Sequence, residues 1–236
     1  MIDMREIYTN KDFQDSVDKF LKDNSCKWSI FKKSFLKFSN HKCPICEDSL
    51  NRYDDIDHFR PKNMGYKFLE CCYKNYMIMC SDCNRNHKGR EFKLDSDFIA
   101  TSKNDISKEK PLLINPTTDN IFDFFQLIFL QQGEKLLLEI YPKDELDKNT
   151  YQYRQALNTI ETYGIGFCLD NPKVDGCRIN ILEEHYEKFY PLAKARQKGK
   201  KEFLKLLKTM PKRAEYGFVK FIAKEQFKII EAEAKK

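Results

Sequence analysis

Two pairs of cysteines, each with two residues between its members, are the clearest chemical feature of this sequence. They are Cys43-Pro-Ile-Cys46 and Cys80-Ser-Asp-Cys83. Two such knuckles typically supply the four thiolates of a tetrahedral zinc site, because the short spacer lets one tight turn aim both sulfurs at the same ion. Four thiolates leave no position for water, so we predict a structural Zn²⁺ that stabilises the fold and performs no chemistry. The alternative is four unrelated buried thiols.

The segment between the two pairs carries a second group of chemically useful residues. It contains Asp57-His58-Phe59-Arg60-Pro61-Lys62 and then Asn75, and Asn84 follows the second pair directly. An Asp-His pair alone has little meaning, but here a Cys pair, Asp-His, Asn and a second Cys pair followed by Asn come in that order. This order resembles the HNH endonuclease motif in its zinc-containing, ββα-metal form. The resemblance implies a small antiparallel hairpin followed by a helix.

The resemblance and the chemistry of the side chains together predict a role for each residue. His58 is the candidate general base, because an imidazole accepts a proton from water near neutral pH. Asp57 and Asn84 offer oxygen ligands to one catalytic cation, and a few hard oxygen ligands suit Mg²⁺ or Mn²⁺. Asn75 matches the central Asn of the motif, for which we expect backbone hydrogen bonds that hold His58 in position. The alternative is a structural His58 with Asp57 as its partner.

Four basic side chains near this group are predicted to contact the phosphates of a nucleic-acid substrate. Arg60 and Lys62 lie in the loop after His58, and Arg85 and Lys88 lie in the helix predicted after the second Cys pair. A basic run at 194–213 is either a solvated helix face or a further phosphate contact.

The remaining histidines are less informative. His87 lies three residues after Asn84 and can share its helix face, where it is either an additional metal ligand or an exposed histidine. Lys88 follows Asn84 by four residues, whereas in some HNH enzymes the basic residue follows by three, so the roles of Asn86 and His87 stay open. We expect structural or surface positions for His41 and His185.

Further segments extend the resemblance beyond the nuclease motif. They are CPICE, DIDHFRPK, CSDCNRNHKGREF, PLLINP and ALNTIETYGI. Together they resemble the HNH subunit of Septu-type and retron-linked bacterial anti-phage defence systems. This resemblance implies a nuclease that acts beside an ABC-like ATPase and, in retron-linked systems, a reverse transcriptase with its RNA–DNA product. The chain has no Walker motif, so any ATP dependence must come from such a partner.

Composition agrees with a cytoplasmic protein, and the resemblance implies a bacterial one. No stretch approaches the roughly 18 apolar residues of a membrane span, and the N-terminus has no apolar signal core. Nine cysteines are an odd number for a disulfide framework, so we expect a reducing compartment. The net charge of +6 permits a polyanionic partner without requiring one. The cysteines outside the two pairs are predicted to lie in the core: Cys26, Cys71, Cys72, Cys168 and Cys177.

Hydrophobic spacing predicts the elements that must position these residues. Apolar residues three and four apart predict two amphipathic helices within 11–39, and short strands are expected at 53–59 and 76–80 around the Asp-His segment. A short helix follows at 81–92, with Ser81 or Asp82 near its N-cap and Gly89 near its end.

The rest of the chain is predicted to form a hairpin and helices. The hairpin is expected at 120–142, a helix within 148–166 ends at Gly164 or Gly166, and further helices span about 178–209 and about 212–233. The predicted fold class is therefore α+β and mainly helical. Its regions are an N-terminal helical segment (1–39), a zinc-containing nuclease core (40–93), and a hairpin and helical region for partner docking or substrate contact (94–236).

The sequence favours an endonuclease over a zinc-ribbon binding module that lacks catalysis. A binding module needs the cysteines but has no use for Asp57, His58 and Asn84 together. DNA is the substrate that the resemblance implies, and a structured RNA such as tRNA stays an alternative because the site would position a phosphodiester without reading its sugar. The chain carries no motif that reads a nucleotide sequence.

Overall fold

The structure, a computed structural model, describes residues 1–165 apart from residues 24, 25, 52, 133 and 134, together with residues 201 and 205. For residues 127–139 it describes the backbone alone. The predicted helices at 178–209 and 212–233, the basic run at 194–213, Cys168, Cys177 and His185 lie outside the described residues, apart from Lys201 and Lys205.

Two amphipathic helices lie within residues 11–39, as predicted. Helix α1 (Lys11–Asp23) buries Phe13, Val17 and Phe20, whose spacing places them on one face. Helix α2 (Lys32–Phe38) follows a short 3₁₀ turn, Trp28–Phe31. Phe13 of α1 packs on α2 and on the turn before it, since its ring centroid lies 5.1 Å from those of both Phe35 and Phe31.

An antiparallel pair of short strands follows. Strand β1 (Asp55–His58) pairs with β2 (Tyr76–Met79), and the register sets His58 opposite Tyr76. Burial alternates along β1, so that Ile56 and His58 are buried while Asp55 and Asp57 are half-buried on the other face. Every residue of β2 is buried, and all four belong to the hydrophobic core.

A helix of π-type geometry, Asp82–Lys88, begins almost directly after β2. Its wide turn is shown by the Gly89 amide, which donates to the Asn84 carbonyl five residues earlier at 2.8 Å. Gly89 ends the helix at a φ of 49°, a left-handed value that favours glycine. The predicted order of strand, strand and helix is therefore present, whereas the ββα-metal assignment stays a prediction.

A second hairpin and a third helix complete the described fold. Strands β3 (Phe125–Gln132) and β4 (Lys135–Pro142) pair antiparallel, as the sequence predicts. Helix α3 (Tyr151–Tyr163) has Thr150 as its N-cap, and it ends at Gly164, one of the two predicted stops. The Thr159 hydroxyl in α3 accepts from the Ile114 amide at 2.9 Å and so attaches the 111–116 segment to the helix.

The α+β class is confirmed, and a mainly helical chain stays a prediction because its longest helices were expected outside the described residues. Within the described part of the chain, no helix has both the length and the apolar character to cross a membrane. Further 3₁₀ turns precede or connect these elements: Arg5–Thr9, Lys62–Met64, Lys67–Leu69, Tyr73–Asn75, Lys103–Lys108 and Ile121–Asp123.

The prediction that Cys26 and Cys71 lie in the core as thiols was wrong. The two residues form a disulfide with a Cα–Cα distance of 5.1 Å, Cys71 is exposed and Cys26 is half-buried. The neighbouring Cys72 is a free, half-buried thiol. Sequence spacing cannot reveal this pairing, because 45 residues separate the partners along the chain.

Candidate functional site

The four predicted zinc ligands come together as one buried cluster. Their Sγ atoms all lie within 4.8 Å of one another, and the set is Cys43, Cys46, Cys80 and Cys83. Zn–S bonds of about 2.3 Å in a tetrahedron place the sulfurs about 3.8 Å apart. The distance of 3.7 Å between Cys46 Sγ and Cys80 Sγ matches that value. The donor set and its size therefore fit a four-thiolate zinc site.

Contacts within the cluster favour thiolate at one of its members. Hydrogen bonds from Cys43, Cys46 and Cys83 hold the pKa of Cys80 well below its usual range. Backbone amides also point at sulfur, since the Cys80 amide donates to Cys43 Sγ at 3.5 Å and the Cys83 amide to Cys80 Sγ at 3.4 Å. Such donors stabilise negative sulfur, the form that binds metal.

The second knuckle positions Asn84. Cys80 follows the last residue of β2, Cys83 lies in the Asp82–Lys88 helix, and Asn84 is the next residue. Its backbone amide donates to the Cys80 carbonyl at 3.0 Å. Within the described residues its side-chain amide makes no hydrogen bond, so its oxygen is available to a ligand.

Asp57 forms a buried ion pair with the same helix. The Lys88 ammonium donates to Asp57 Oδ2 at 2.7 Å and to the His58 carbonyl at 3.1 Å. The Lys88 side chain is 0% exposed and that of Asp57 is 18% exposed. The other carboxylate oxygen of Asp57 has no partner among the described residues, so it alone is available to a cation.

His58 is held by a backbone carbonyl. Its Nε2 lies 3.0 Å from the Glu70 carbonyl oxygen, and Tyr76 Oη donates to that same oxygen at 2.7 Å. Burial raises the pKa of Tyr76 to about 12, which keeps the phenol protonated. A carbonyl can only accept, so Nε2 must carry the hydrogen, and in the neutral ring Nδ1 is the free proton acceptor.

Asn75 braces the loop that follows His58. Its Oδ1 accepts from the Arg60 amide at 2.9 Å, and its Nδ2 donates to the Arg60 carbonyl at 3.0 Å. The Asn75 carbonyl also accepts from the Phe59 amide at 2.8 Å. These bonds fix the two residues after His58, and their effect on catalysis stays a proposal.

The structure separates the predicted phosphate contacts into two groups. Lys62 and Arg85 lie at the surface, where Arg85 pairs with Asp55 and Lys62 with Glu70. Lys88 is fully buried, and Arg60 is 13% exposed with its Nε 2.7 Å from the buried Glu109 carboxylate. The positive charge of Arg60 is paired with Glu109, and that of Lys88 is paired with Asp57. The phosphate roles predicted for Arg60 and Lys88 therefore do not agree with their positions.

His87, the histidine of the Asp82–Lys88 helix, is half-buried. Burial lowers the pKa of His87, and its Nε2 lies 3.9 Å from Asp82 Oδ2. Asn86 is exposed and donates to Asp82 Oδ1 at 2.7 Å. His41 is also exposed, consistent with the surface position expected for it.

Sequence reasoning missed Trp28 and Glu70. The Trp28 ring lies 5.9 Å from the His58 ring, and the Lys62 ammonium lies 5.3 Å from the Trp28 ring. The sole tryptophan of a Lys-rich chain was a weak signal for this position. Glu70 gave no signal in the sequence, because it binds His58 through its backbone carbonyl, a group that every residue type carries.

Comparison with known proteins gives one informative similarity. Over 114 residues the chain is 35% identical to "Septu protein PtuB" of Bacillus mycoides (strain KBAB4). This stretch is homologous to PtuB. The match covers 42% of this chain and 37% of PtuB, so it spans little more than a third of that relative. The predicted resemblance to a Septu-type subunit is thereby confirmed. No family model matches the chain, and no solved structure matches it significantly.

Proposed function

We propose that this chain is a divalent-metal-dependent HNH-type endonuclease of a Septu-type anti-phage defence system. The observation that carries the proposal is the hydrogen bond between His58 Nε2 and the Glu70 carbonyl at 3.0 Å. This bond orients the imidazole and leaves Nδ1 as a proton acceptor, which is the state that a general base requires. The four-cysteine cluster and the similarity to PtuB support the same reaction class.

In the proposed reaction, His58 Nδ1 takes a proton from a water molecule that attacks the phosphorus atom of a phosphodiester. The P–O bond to the departing sugar oxygen then breaks, that oxygen takes a proton from solvent water, and His58 later returns its proton to solvent. Asp57 Oδ1 and the Asn84 amide oxygen would hold Mg²⁺ or Mn²⁺, which supplies charge stabilisation at the phosphate. Asn75 keeps the loop after His58 in place.

Lys88 contributes to this site from within the protein. Its ammonium binds Asp57 Oδ2 and the His58 carbonyl at once, so it joins the two adjacent candidate catalytic residues to the Asp82–Lys88 helix. It directs one carboxylate oxygen inward, which leaves the other for a cation. Lys88 is therefore a positioning residue in this proposal.

A catalytically inactive zinc module is the second candidate. The ion pair between Lys88 and Asp57 favours it, because a fully internal partner for Asp57 is also what a purely structural site would contain. The Asn84 side-chain amide, which makes no hydrogen bond within the described part of the chain, and the oriented His58 favour the enzyme.

The proposed substrate is nucleic acid, and the proposed partner is the ABC-like ATPase of the defence system. DNA follows from the resemblance to HNH enzymes, and an RNA substrate such as tRNA is the alternative. In a retron-linked system, the reverse transcriptase and its RNA–DNA product would join the complex. Because an ungated nuclease would damage the host, we propose that the ATPase controls cleavage.

Replacement of His58 tests the enzyme against the zinc module. His58→Ala should lower the cleavage rate by about 10²–10⁴-fold, the usual contribution of a general base. Zinc content and the far-UV spectrum should stay unchanged, because His58 is not a ligand of the cysteine cluster. Cleavage is measured on single-stranded DNA, double-stranded DNA and total RNA with the ATPase present.

A matched control is His41→Asn, which removes an exposed imidazole at a φ of 59°, a conformation that Asn tolerates. It should cleave at the wild-type rate. Asp57→Ala and Asn84→Ala should lose activity but recover part of it in excess Mg²⁺ or Mn²⁺, whereas His58→Ala should not. If His58→Ala cleaves at the wild-type rate, the enzyme proposal is wrong and the inactive zinc module takes its place.

A further inference from the structure

Trp28 is an aromatic side chain at the edge of the candidate catalytic histidine. Its side chain is 36% exposed, and its ring meets the His58 ring edge-on with the centroids 5.9 Å apart. The ammonium group of Lys62 lies 5.3 Å from the centre of the Trp28 ring. An exposed hydrophobic residue is ordinary by itself. Here it stands beside both a general base and a cation.

Covalent and packing contacts hold Trp28 in this position. Cys26, two residues earlier, is bonded to Cys71, which directly follows the residue whose carbonyl binds His58. Phe31, at the other end of the Trp28–Phe31 turn, is fully buried, and its ring lies 5.6 Å from that of Tyr76. The segment that carries Trp28 is therefore attached near His58 on both sides, through the disulfide of Cys26 and through the packing of Phe31.

The charges around Trp28 suit a phosphate chain. Lys62 is about a third exposed, and its partner Glu70 also pairs with Lys67, which is 75% exposed. Two lysines thus share one carboxylate, so the group of Lys62, Glu70 and Lys67 carries a net positive charge, and its Lys62 lies at the ring. Aromatic rings that alternate with cations are the usual surface for single-stranded nucleic acid, since bases stack on the rings and phosphates meet the cations.

We propose that Trp28 stacks on an unpaired nucleobase next to the scissile phosphate, with Lys62 at a neighbouring phosphate. The chain would then select single-stranded nucleic acid or an unpaired loop. This inference rests on the proposed nuclease function. Only one sugar separates a base from its phosphate, so a phosphate at His58 brings its base to the adjacent ring. In a duplex the base is already stacked and paired, and it reaches Trp28 only after being flipped out at an energetic cost.

The fluorescence of Trp28 offers a direct test, because it is the single tryptophan of the chain. The full chain is titrated with phosphorothioate oligonucleotides, which resist hydrolysis, in single-stranded, duplex and wholly abasic forms. Single strands should quench the fluorescence. An abasic oligomer should bind, as measured by its anisotropy, without quenching. Equal quenching by the duplex and the single strand would overturn the inference.

Replacement of the ring separates stacking from a structural role. Trp28→Ala should raise KM and Kd for single strands by roughly 10- to 100-fold, the range that one base–aromatic stack accounts for. Trp28→Phe should keep most of the affinity. The affinity for the abasic oligomer, the zinc content and kcat should change little in either variant.

Phe98→Ala is the matched control. Phe98 is 41% exposed and also has a lysine over its ring, with Lys108 Nζ at 6.0 Å. Among the described residues its ring makes no aromatic contact with the His58 ring. Its replacement should leave KM for single strands unchanged.

The outcomes separate this inference from the nuclease proposal. If the wild type cleaves and Trp28→Ala has an unchanged KM, the stacking role is wrong while the nuclease proposal stands. If the wild type cleaves no nucleic acid, the nuclease proposal is wrong. The fluorescence titration would then still decide whether Trp28 stacks on bases. An equal loss in Phe98→Ala and Trp28→Ala would also contradict a specific role for Trp28.

Discussion

At the scale of single residues, two ion pairs join the Asp82–Lys88 helix to β1, and they differ in burial. Lys88 with Asp57 has side chains 0% and 18% exposed, whereas Arg85 with Asp55 has side chains 67% and 45% exposed. Water screens the second pair and barely reaches the first. An exposed pair contributes at most about 1 kcal/mol, but loss of one partner from a buried pair costs about 3–5 kcal/mol.

We therefore expect Lys88→Met to lower the free energy of unfolding by about 3–5 kcal/mol, because it leaves the Asp57 carboxylate without its cation. Urea denaturation of the zinc-bound protein measures the change. The double variant Lys88→Met/Asp57→Asn should recover part of the loss, since no uncompensated charge then remains.

Arg85→Met is the matched control, because it removes the corresponding cation from the exposed pair on the same helix. It should cost no more than about 1 kcal/mol. Equal losses in the two single variants would show that burial does not distinguish the pairs.

At the scale of elements, the two cysteine knuckles connect three parts of the core. The first knuckle is in the loop before β1, and the second spans the junction between β2 and the Asp82–Lys88 helix. The strands β1 and β2 have four residues each. A two-stranded sheet of this size is not stable alone, so a bound ion would add the stabilisation that the junction needs.

The purified chain should accordingly contain one Zn²⁺, and Cys43→Ser should lose it. The loss should increase hydrogen exchange at the backbone amides of residues 76–89, because the knuckle no longer fixes the end of β2. Zinc analysis and exchange mass spectrometry provide the two measurements.

Cys72→Ser is the control for this experiment, since Cys72 is a free thiol outside the cluster. Its zinc content should match that of the wild type. A folded and active preparation without zinc would refute a structural role for the ion.

At the scale of the whole molecule, the Cys26–Cys71 disulfide joins the segment after α1 to the turn before β2. A cross-link over 45 residues restricts the unfolded chain, and loops of this size typically contribute about 2–4 kcal/mol. Its effect on stability depends on the redox state of the solution.

Cys26→Ser should therefore lower the free energy of unfolding by about 2–4 kcal/mol without reductant. With a reducing agent, the variant and the wild type should unfold at similar urea concentrations. If the two proteins are equally stable without reductant, the disulfide does not form in solution or does not stabilise the fold.

A partner is the other expectation at this scale. Co-expression with the ABC-like ATPase should give a complex that survives purification, and cleavage should depend on the nucleotide state of that ATPase. An ATPase variant that cannot bind ATP is the control, and it should alter the cleavage rate. If the free chain cleaves at the full rate whether or not the partner is present, the proposal that the ATPase controls cleavage is wrong.

The sequence by itself determined the features that depend on local spacing. Two residues between cysteines predict a metal knuckle, and the four sulfurs do meet. Alternation along β1, the three-and-four spacing of α1 and the glycine after α3 each predict an element that the structure contains. These features are readable because helices and strands repeat over a few residues, so their signals lie within one short window.

Only the tertiary structure decided which distant groups meet at the candidate site. The sequence predicted that Lys88 contacts substrate phosphate, but packing of its helix on β1 buries it against Asp57. Glu70 holds His58 through a backbone carbonyl, and no residue type signals that role. The neighbours of Trp28 likewise follow from the packing of separate elements. Such contacts depend on the positions of elements in three dimensions, which no local pattern of residues records.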